Sequence, residues 1–181
     1  MSEIDVIHEV LDGLRLSQER VVLVGGLAIF FYTGVEVSKD VDFAVMTEDY
    51  EKIPSIDMFG VVKHVQYQWG FVDFLNPDSY VSKQHTGNEF IDYIKRHRSF
   101  KVDGIYVAKP EVVFYTRLVI SNWGDYIRKS RRDLGAGLLR EKDKIYAGVK
   151  AMGDIFGTRD IVDEHLKELE EHVQSYFPTR L

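Results

Sequence analysis

Two aspartates one residue apart, Asp40 and Asp42, are interleaved with apolar Val41 and Phe43. On a strand, side chains two apart share a face. Both carboxylates would then point one way while Val41 and Phe43 enter a core. Carboxylates are depleted in strands, and a pair on one face suits a hard cation, which takes oxygen ligands. Upstream, the buried-strand run Val21 to Val24 ends in Gly25-Gly26. Two glycines let a bulky group approach the main chain. Leu27 to Tyr32 reads as a short buried helix stopped by Gly34, and its N-terminal amides, from Gly26 onward, favour phosphate. A lone D-x-D is commonly a solvated edge, and a lone Gly-Gly commonly a turn. Their order and spacing between Val21 and Val45 point to a phosphate-holding turn followed by a metal-holding strand.

Val24-Gly25-Gly26 followed by Asp40-Val41-Asp42 resembles the signature of the nucleotidyltransferase superfamily of the DNA polymerase β type. The small stand-alone members similar to AbiEii toxins of abortive-infection and toxin–antitoxin systems look closest. The resemblance covers most of residues 21–120. It implies a small mixed sheet with flanking helices, and transfer of NMP from an NTP to an acceptor hydroxyl with release of pyrophosphate. It also implies Mg²⁺ or Mn²⁺ on Asp40, Asp42 and a third carboxylate from a neighbouring strand, because such transfer uses two metals about 4 Å apart. Asp73, a single charge in the apolar run Gly70 to Leu75, is the candidate, and it would also take the acceptor's proton. Gly25 and Gly26 would hold the triphosphate. Ser38 stands where the family often has threonine, and Glu36 replaces its arginine. Arg117, six residues after Glu111 of Pro110-Glu111, stands at the family's triphosphate-facing lysine. A late basic-acidic helical run is matched best by Arg159-Asp160-Ile161-Val162-Asp163. Arg132-Asp133 competes, but Ala136 fills its second acidic slot.

The elements that must position these residues are legible in part. Residues 3–15 read as an amphipathic helix, with Ser2 and Asp5 as a capping box. Thr47 opens a short helix ending near Ile53. Val61 to Tyr67 and Phe71 to Leu75 read as strands closed by Asn76-Pro77-Asp78, and Phe90 to Ile94 as a short helical or loop piece. Phe100 to Val102 and Ile105 to Ala108 flank Asp103-Gly104, a hairpin signal. Pro110 opens an apolar helix running to Trp123, with Gly124 as its break. A basic helix of about 25 residues should follow, weakened by Gly135 and Gly137, and then a last helix from Arg159 to Tyr176. The expected fold is α+β, with a nucleotidyltransferase core at 1–109 and a C-terminal helical region at 110–181.

Composition bounds the rest. The chain has 181 residues, 45% of them hydrophobic, with no cysteine and a net charge of −6. Disulfides and thiolate metal sites are excluded. No apolar run approaches a membrane span, and the first residues, MSEID, do not resemble a signal peptide. A cytoplasmic protein is expected. The net charge argues against general nucleic-acid coating. Yet residues 125–150 carry eight Lys or Arg against four Asp or Glu. Arg128, Lys129, Arg131 and Arg132 there form either a solvated helix face or an acceptor surface for RNA. His165 and His172, seven apart, read as surface residues, and Phe30, Phe31 and Tyr32 as core packing. The acceptor stays open among RNA, a protein hydroxyl and a small molecule. The alternative to an enzyme is a catalytically silent binding or regulatory module, antitoxin-like, or one acting with an antitoxin or regulatory partner.

Overall fold

The computed structural model describes residues 2–120 and 125–177. It is α+β, with a mixed sheet flanked by helices and a C-terminal helical region. Helix α1 (Glu3–Gly13) starts at the Ser2 cap, and the Ser2–Asp5 capping box is formed as expected. It buries Ile7, Val10 and Leu11, the positions that helical spacing places on one face.

Strand β1 (Val21–Val24) is buried throughout and runs directly into α2 (Gly25–Thr33), which Gly34 ends in a left-handed conformation. Both glycines therefore lie in the helix's first turn, rather than in a turn ahead of it. Strand β2 (Val41–Val45) begins one residue later than expected, leaving Asp40 in the irregular segment before it. Helix α3 (Thr47–Lys52) is followed by β3 (Ile56–Met58), a strand not expected from the sequence. Strands β4 (Val62–Tyr67) and β5 (Gly70–Leu75), both expected as strands, pair antiparallel. Lys63 of β4 is buried, and its Nζ donates to the carbonyls of Tyr50, Glu51 and Ile53 at 2.6, 3.3 and 3.2 Å. That satisfies both the ammonium and the open end of α3.

Helix α4 (Gly87–His97) is twice the expected piece. Its start carries a capping box of Thr86 and Glu89, a signal spelled out in the sequence as T-x-x-E. Strands β6 (Ser99–Val102) and β7 (Ile105–Ala108) form the hairpin around Asp103-Gly104. The sheet order is β3-β4-β5-β2-β1-β7-β6. Within it β2 runs parallel to β5 and β1 parallel to β7, and the other pairs are antiparallel.

Helix α5 (Pro110–Val119) opens on Pro110 and is buried nearly all round. The anticipated extension to Trp123 and the break at Gly124 lie outside the described residues. The single basic helix is a correction. It is two helices, α6 (Tyr126–Asp133) and α7 (Lys142–Phe156), joined by a widened turn at Leu134–Leu138 and a tight one at Leu139–Glu141. Gly137 sits at φ 127° in the join, a backbone state that a β-carbon disfavours. Helix α8 (Arg159–Tyr176) closes the fold over the bounds expected for it. No helix among the described residues is long and apolar enough to cross a membrane.

Candidate active site

The site forms at the edge of the sheet where β1 ends and β2 begins, beside Asp73 of β5 and beneath α5 and α6. In the β2–β5 ladder Asp42 is the register partner of Asp73, and in the β1–β2 ladder Asp42 is opposite Val24. In-register neighbours of a sheet share a face, so the two carboxylates stand side by side. Asp40, Asp42 and Asp73 all line one cleft of about 290 Å³, together with Gly25, Gly26 and Ser38. The opposite wall is Thr116, Arg117 and Ile120 beside Tyr126, Lys129 and Arg132.

The glycines have a packing role beside the one expected. Gly25 adopts φ +69°, and a β-carbon there would lie 1.9 Å from Asp42 Oδ2. A β-carbon at Gly26 would lie 2.5 Å from Ser38 Cβ. The pair makes room for the site's own side chains, and so sets where Asp42 and the Ser38 loop can stand. The amides of the first turn of α2 have no intrahelical acceptors, which suits them to an anion.

Each carboxylate has a different environment. Ser38 Oγ donates to Asp40 Oδ2 at 3.1 Å and accepts from the Asp40 backbone N–H at 3.2 Å, so Ser38 sets the Asp40 rotamer. Asp73 is hydrogen-bonded to His64 Nδ1 from the neighbouring strand. Asp42 is pushed up from 3.8 to about 7, first by burial and then by the charges of Asp73 and Asp40, with Lys129 and Arg117 partly opposing. Like charges crowded in a partly desolvated cleft disfavour ionisation. Among the described residues, no group of three or more His, Cys, Asp or Glu is placed to hold a metal ion as it stands. The chemistry of the donor set nevertheless fits one. All the donors are carboxylate oxygens, and their mutual repulsion is what a divalent cation relieves.

The cationic wall is built from inside. Asp133 is fully buried and accepts from Arg117 Nη1 at 2.5 Å and from Arg132 Nε at 2.9 Å. Two guanidiniums on one buried carboxylate keep a fixed positive edge at the cleft. Burial pulls Arg117 below its usual value, and Asp133 acts against that shift. Lys129 is exposed and lines the cleft. Arg128 also lines it, paired to Asp125 at 2.6 Å. Arg131 does not share that wall, because its guanidinium lies 4.1 Å from the Tyr176 ring centre. The four-residue basic patch read from the sequence is thus split by the helix.

Two further sequence expectations are corrected. Arg159-Asp163, the preferred late basic-acidic run, does not line the cleft. Arg159 bonds Asp163 at 2.8 Å and Asp154 at 2.7 Å on the outer surface. The competing Arg132-Asp133 occupies the site instead, despite Ala136. His165, expected on the surface, is buried, and its Nδ1 meets the Leu118 carbonyl at 2.6 Å.

One residue was missed altogether. Tyr80 lines the cleft, is fully buried, and its hydroxyl has no partner among the described residues. Its ring stacks on Phe90 at 5.5 Å, and its carbonyl accepts from the Tyr115 hydroxyl at 2.6 Å. Burial and the nearby Asp42 charge push the phenol well above its usual value, so it is a donor and not a base. Nothing in its local sequence marks it, since Asn76-Pro77-Asp78 reads only as a turn. Compared with known proteins, the chain matches no family model and no curated sequence.

Proposed function

We propose that the chain is a divalent-metal-dependent nucleotidyltransferase that moves NMP from an NTP onto an acceptor hydroxyl, acting in the cytoplasm. The observation that carries the reading is the in-register pair Asp42 and Asp73, beside Asp40, across one cleft from Arg117, Lys129 and Arg132. Asp40, Asp42 and Asp73 would hold Mg²⁺ or Mn²⁺, which when bound supplies charge neutralisation at the α-phosphate and at the leaving pyrophosphate. The first turn of α2 and the cationic wall bind the triphosphate. Asp73 takes the acceptor's hydroxyl proton. The acceptor oxygen bonds to the α-phosphorus as the bond to the bridging oxygen breaks, and pyrophosphate leaves with that electron pair. Arg117 and Arg132, fixed by Asp133, stand ready for the negative charge of the leaving group without reorganising.

One observation favours a second reading, a silent binding module working with an antitoxin or regulatory partner. Asp40 is already tied to Ser38 and Asp73 to His64, so two of the three carboxylates have partners. The test is to incubate the chain with each α-labelled NTP, Mg²⁺ or Mn²⁺, and total RNA or lysate. Transfer of label by the native chain and none by Asp42→Asn supports the enzyme. Absence of label with every NTP and both metals removes it.

A further inference from the structure

Beyond the cleft, the floor of the sheet continues in an uncovered pair of rings. Phe71 lies two residues before Asp73 on β5 and so shares its face, and His64 is the register partner of Asp73 on β4. The two rings stack at 4.2 Å between centres and 25° between planes. Both are open to solvent, Phe71 at 41% and the His64 side chain at 36%. Phe71 is among the few large apolar side chains this exposed in the described residues. It stands beside the carboxylate to which the acceptor's proton is assigned.

We propose that the Phe71–His64 stack seats the terminal base of the acceptor, and that the acceptor is the unpaired 3′ end of an RNA strand. The inference rests on the nucleotidyl-transfer reading above. Three features of such an end match the page. Its base has a π-face for an exposed ring, the usual platform for single strands. Its hydroxyl lies one sugar away from the stacked base. A step of two residues along a strand is about 7 Å, and spans from Phe71 to Asp73 in that way. A phenol carries its hydroxyl on the stacked ring itself and would fall short of Asp73. Finally, the strand's phosphates are anionic, and the neighbouring cleft carries Lys129 and Arg132 on the wall across from Asp73. Because the rings recognise a face rather than hydrogen-bonding edges, base identity matters little at this position.

The test uses the native chain with Mg²⁺, a non-hydrolysable ATP analogue, and a short single-stranded RNA ending in 2-aminopurine. Stacking on Phe71 should quench the terminal base's fluorescence on binding. Phe71→Ala should weaken binding of this RNA by roughly 5–150-fold and abolish the quench, since an aromatic platform contributes about 1–3 kcal/mol per base. Phe71→Trp should restore both, and urea unfolding shows that each variant folds. The same RNA with its 3′ end paired should not be quenched. Binding without quench, unchanged affinity in Phe71→Ala, or capture of a tyrosine peptide in preference to the RNA overturns the platform. Thermal stabilisation of the native chain by ATP and Mg²⁺ is measured alongside. Where that is present and the platform arm fails, the nucleotidyl-transfer reading stands and this inference alone falls. Where it is absent, both fall.

Discussion

Asp42 owes its unusual ionisation first to burial and then to the charges of Asp73 and Asp40, and that has a measurable sign. Its usual value is 3.8, and in the folded chain it is raised to about 7. A carboxyl raised on folding stabilises the protein fully below the unfolded value and loses that contribution as pH rises through the folded one. Between about pH 4 and pH 7 the native chain should therefore lose stability with a slope of about 1.4 kcal/mol per pH unit at most. Access to cleft solvent reduces that slope. Asp42→Asn lacks the titrating group, so it should be more stable than the native chain at pH 8, with the difference shrinking towards pH 4. Urea unfolding in the presence of a chelator checks this, and a native chain no less stable than the variant at pH 8 contradicts it. Tyr80 makes the opposite kind of prediction. Its hydroxyl is buried without a described partner, so Tyr80→Phe removes an unsatisfied polar group and should leave stability unchanged or slightly raised. If the hydroxyl serves a bound substrate, the same variant should bind ATP and Mg²⁺ more weakly. Equal binding at equal stability makes Tyr80 only a packing residue.

At the scale of elements, the decisive object is α6 and what holds it. Its turns put Arg128, Lys129 and Arg132 on the cleft and Arg131 over Tyr176, so the charges no longer act as one patch. Neutralising Arg128, Lys129 and Arg132 together should weaken ATP binding and steepen its dependence on metal. Arg131→Gln should leave ATP binding alone. Isothermal titration of both variants separates the two, and an equal effect would mean that the helix face matters only through net charge. Asp133 anchors this wall. Replacing it with Asn leaves Arg117 buried without its counter-charge, a change that costs about 3–5 kcal/mol where a buried pair is broken. That variant therefore reports on folding, and it cannot be used to read catalysis. The break between α6 and α7 was visible in Gly135 and Gly137, but helical propensity alone read it as weakness within one helix. The left-handed Gly137 makes it a turn, and the turn lets the basic helix lie across the cleft.

For the whole molecule, what the sequence disclosed depended on whether the cause was local. Gly25-Gly26, Asp40 and Asp42 lie within one short stretch, and capping boxes and the Asp103-Gly104 turn act over a few residues. All of these were readable. His64 beside Asp73, Tyr80 beneath Asp42, and Asp133 behind Arg117 are brought together by sheet register or helix packing across many residues. No periodicity records such meetings. The same long-range assembly makes the cleft a junction, with carboxylates from the sheet on one side and cations from α5 and α6 on the other. A triphosphate alone would meet the cations and also the three aspartates, and a divalent cation alone would meet the reverse conflict. Together they satisfy both walls. Stabilisation of the fold should therefore be strongly greater than additive. ATP or Mg²⁺ singly should shift the unfolding temperature little. Both together, at about 100-fold over the dissociation constant, should add about 2.7 kcal/mol, or roughly 5–10 °C for a chain of this size. In Asp42→Asn the repulsion between floor and phosphate is reduced, so ATP alone should stabilise this variant more than it does the native chain, while the added effect of Mg²⁺ falls. A thermal melt of the two proteins under four conditions reads all of these terms. Additive shifts in the native chain would mean that nucleotide and metal do not share this cleft.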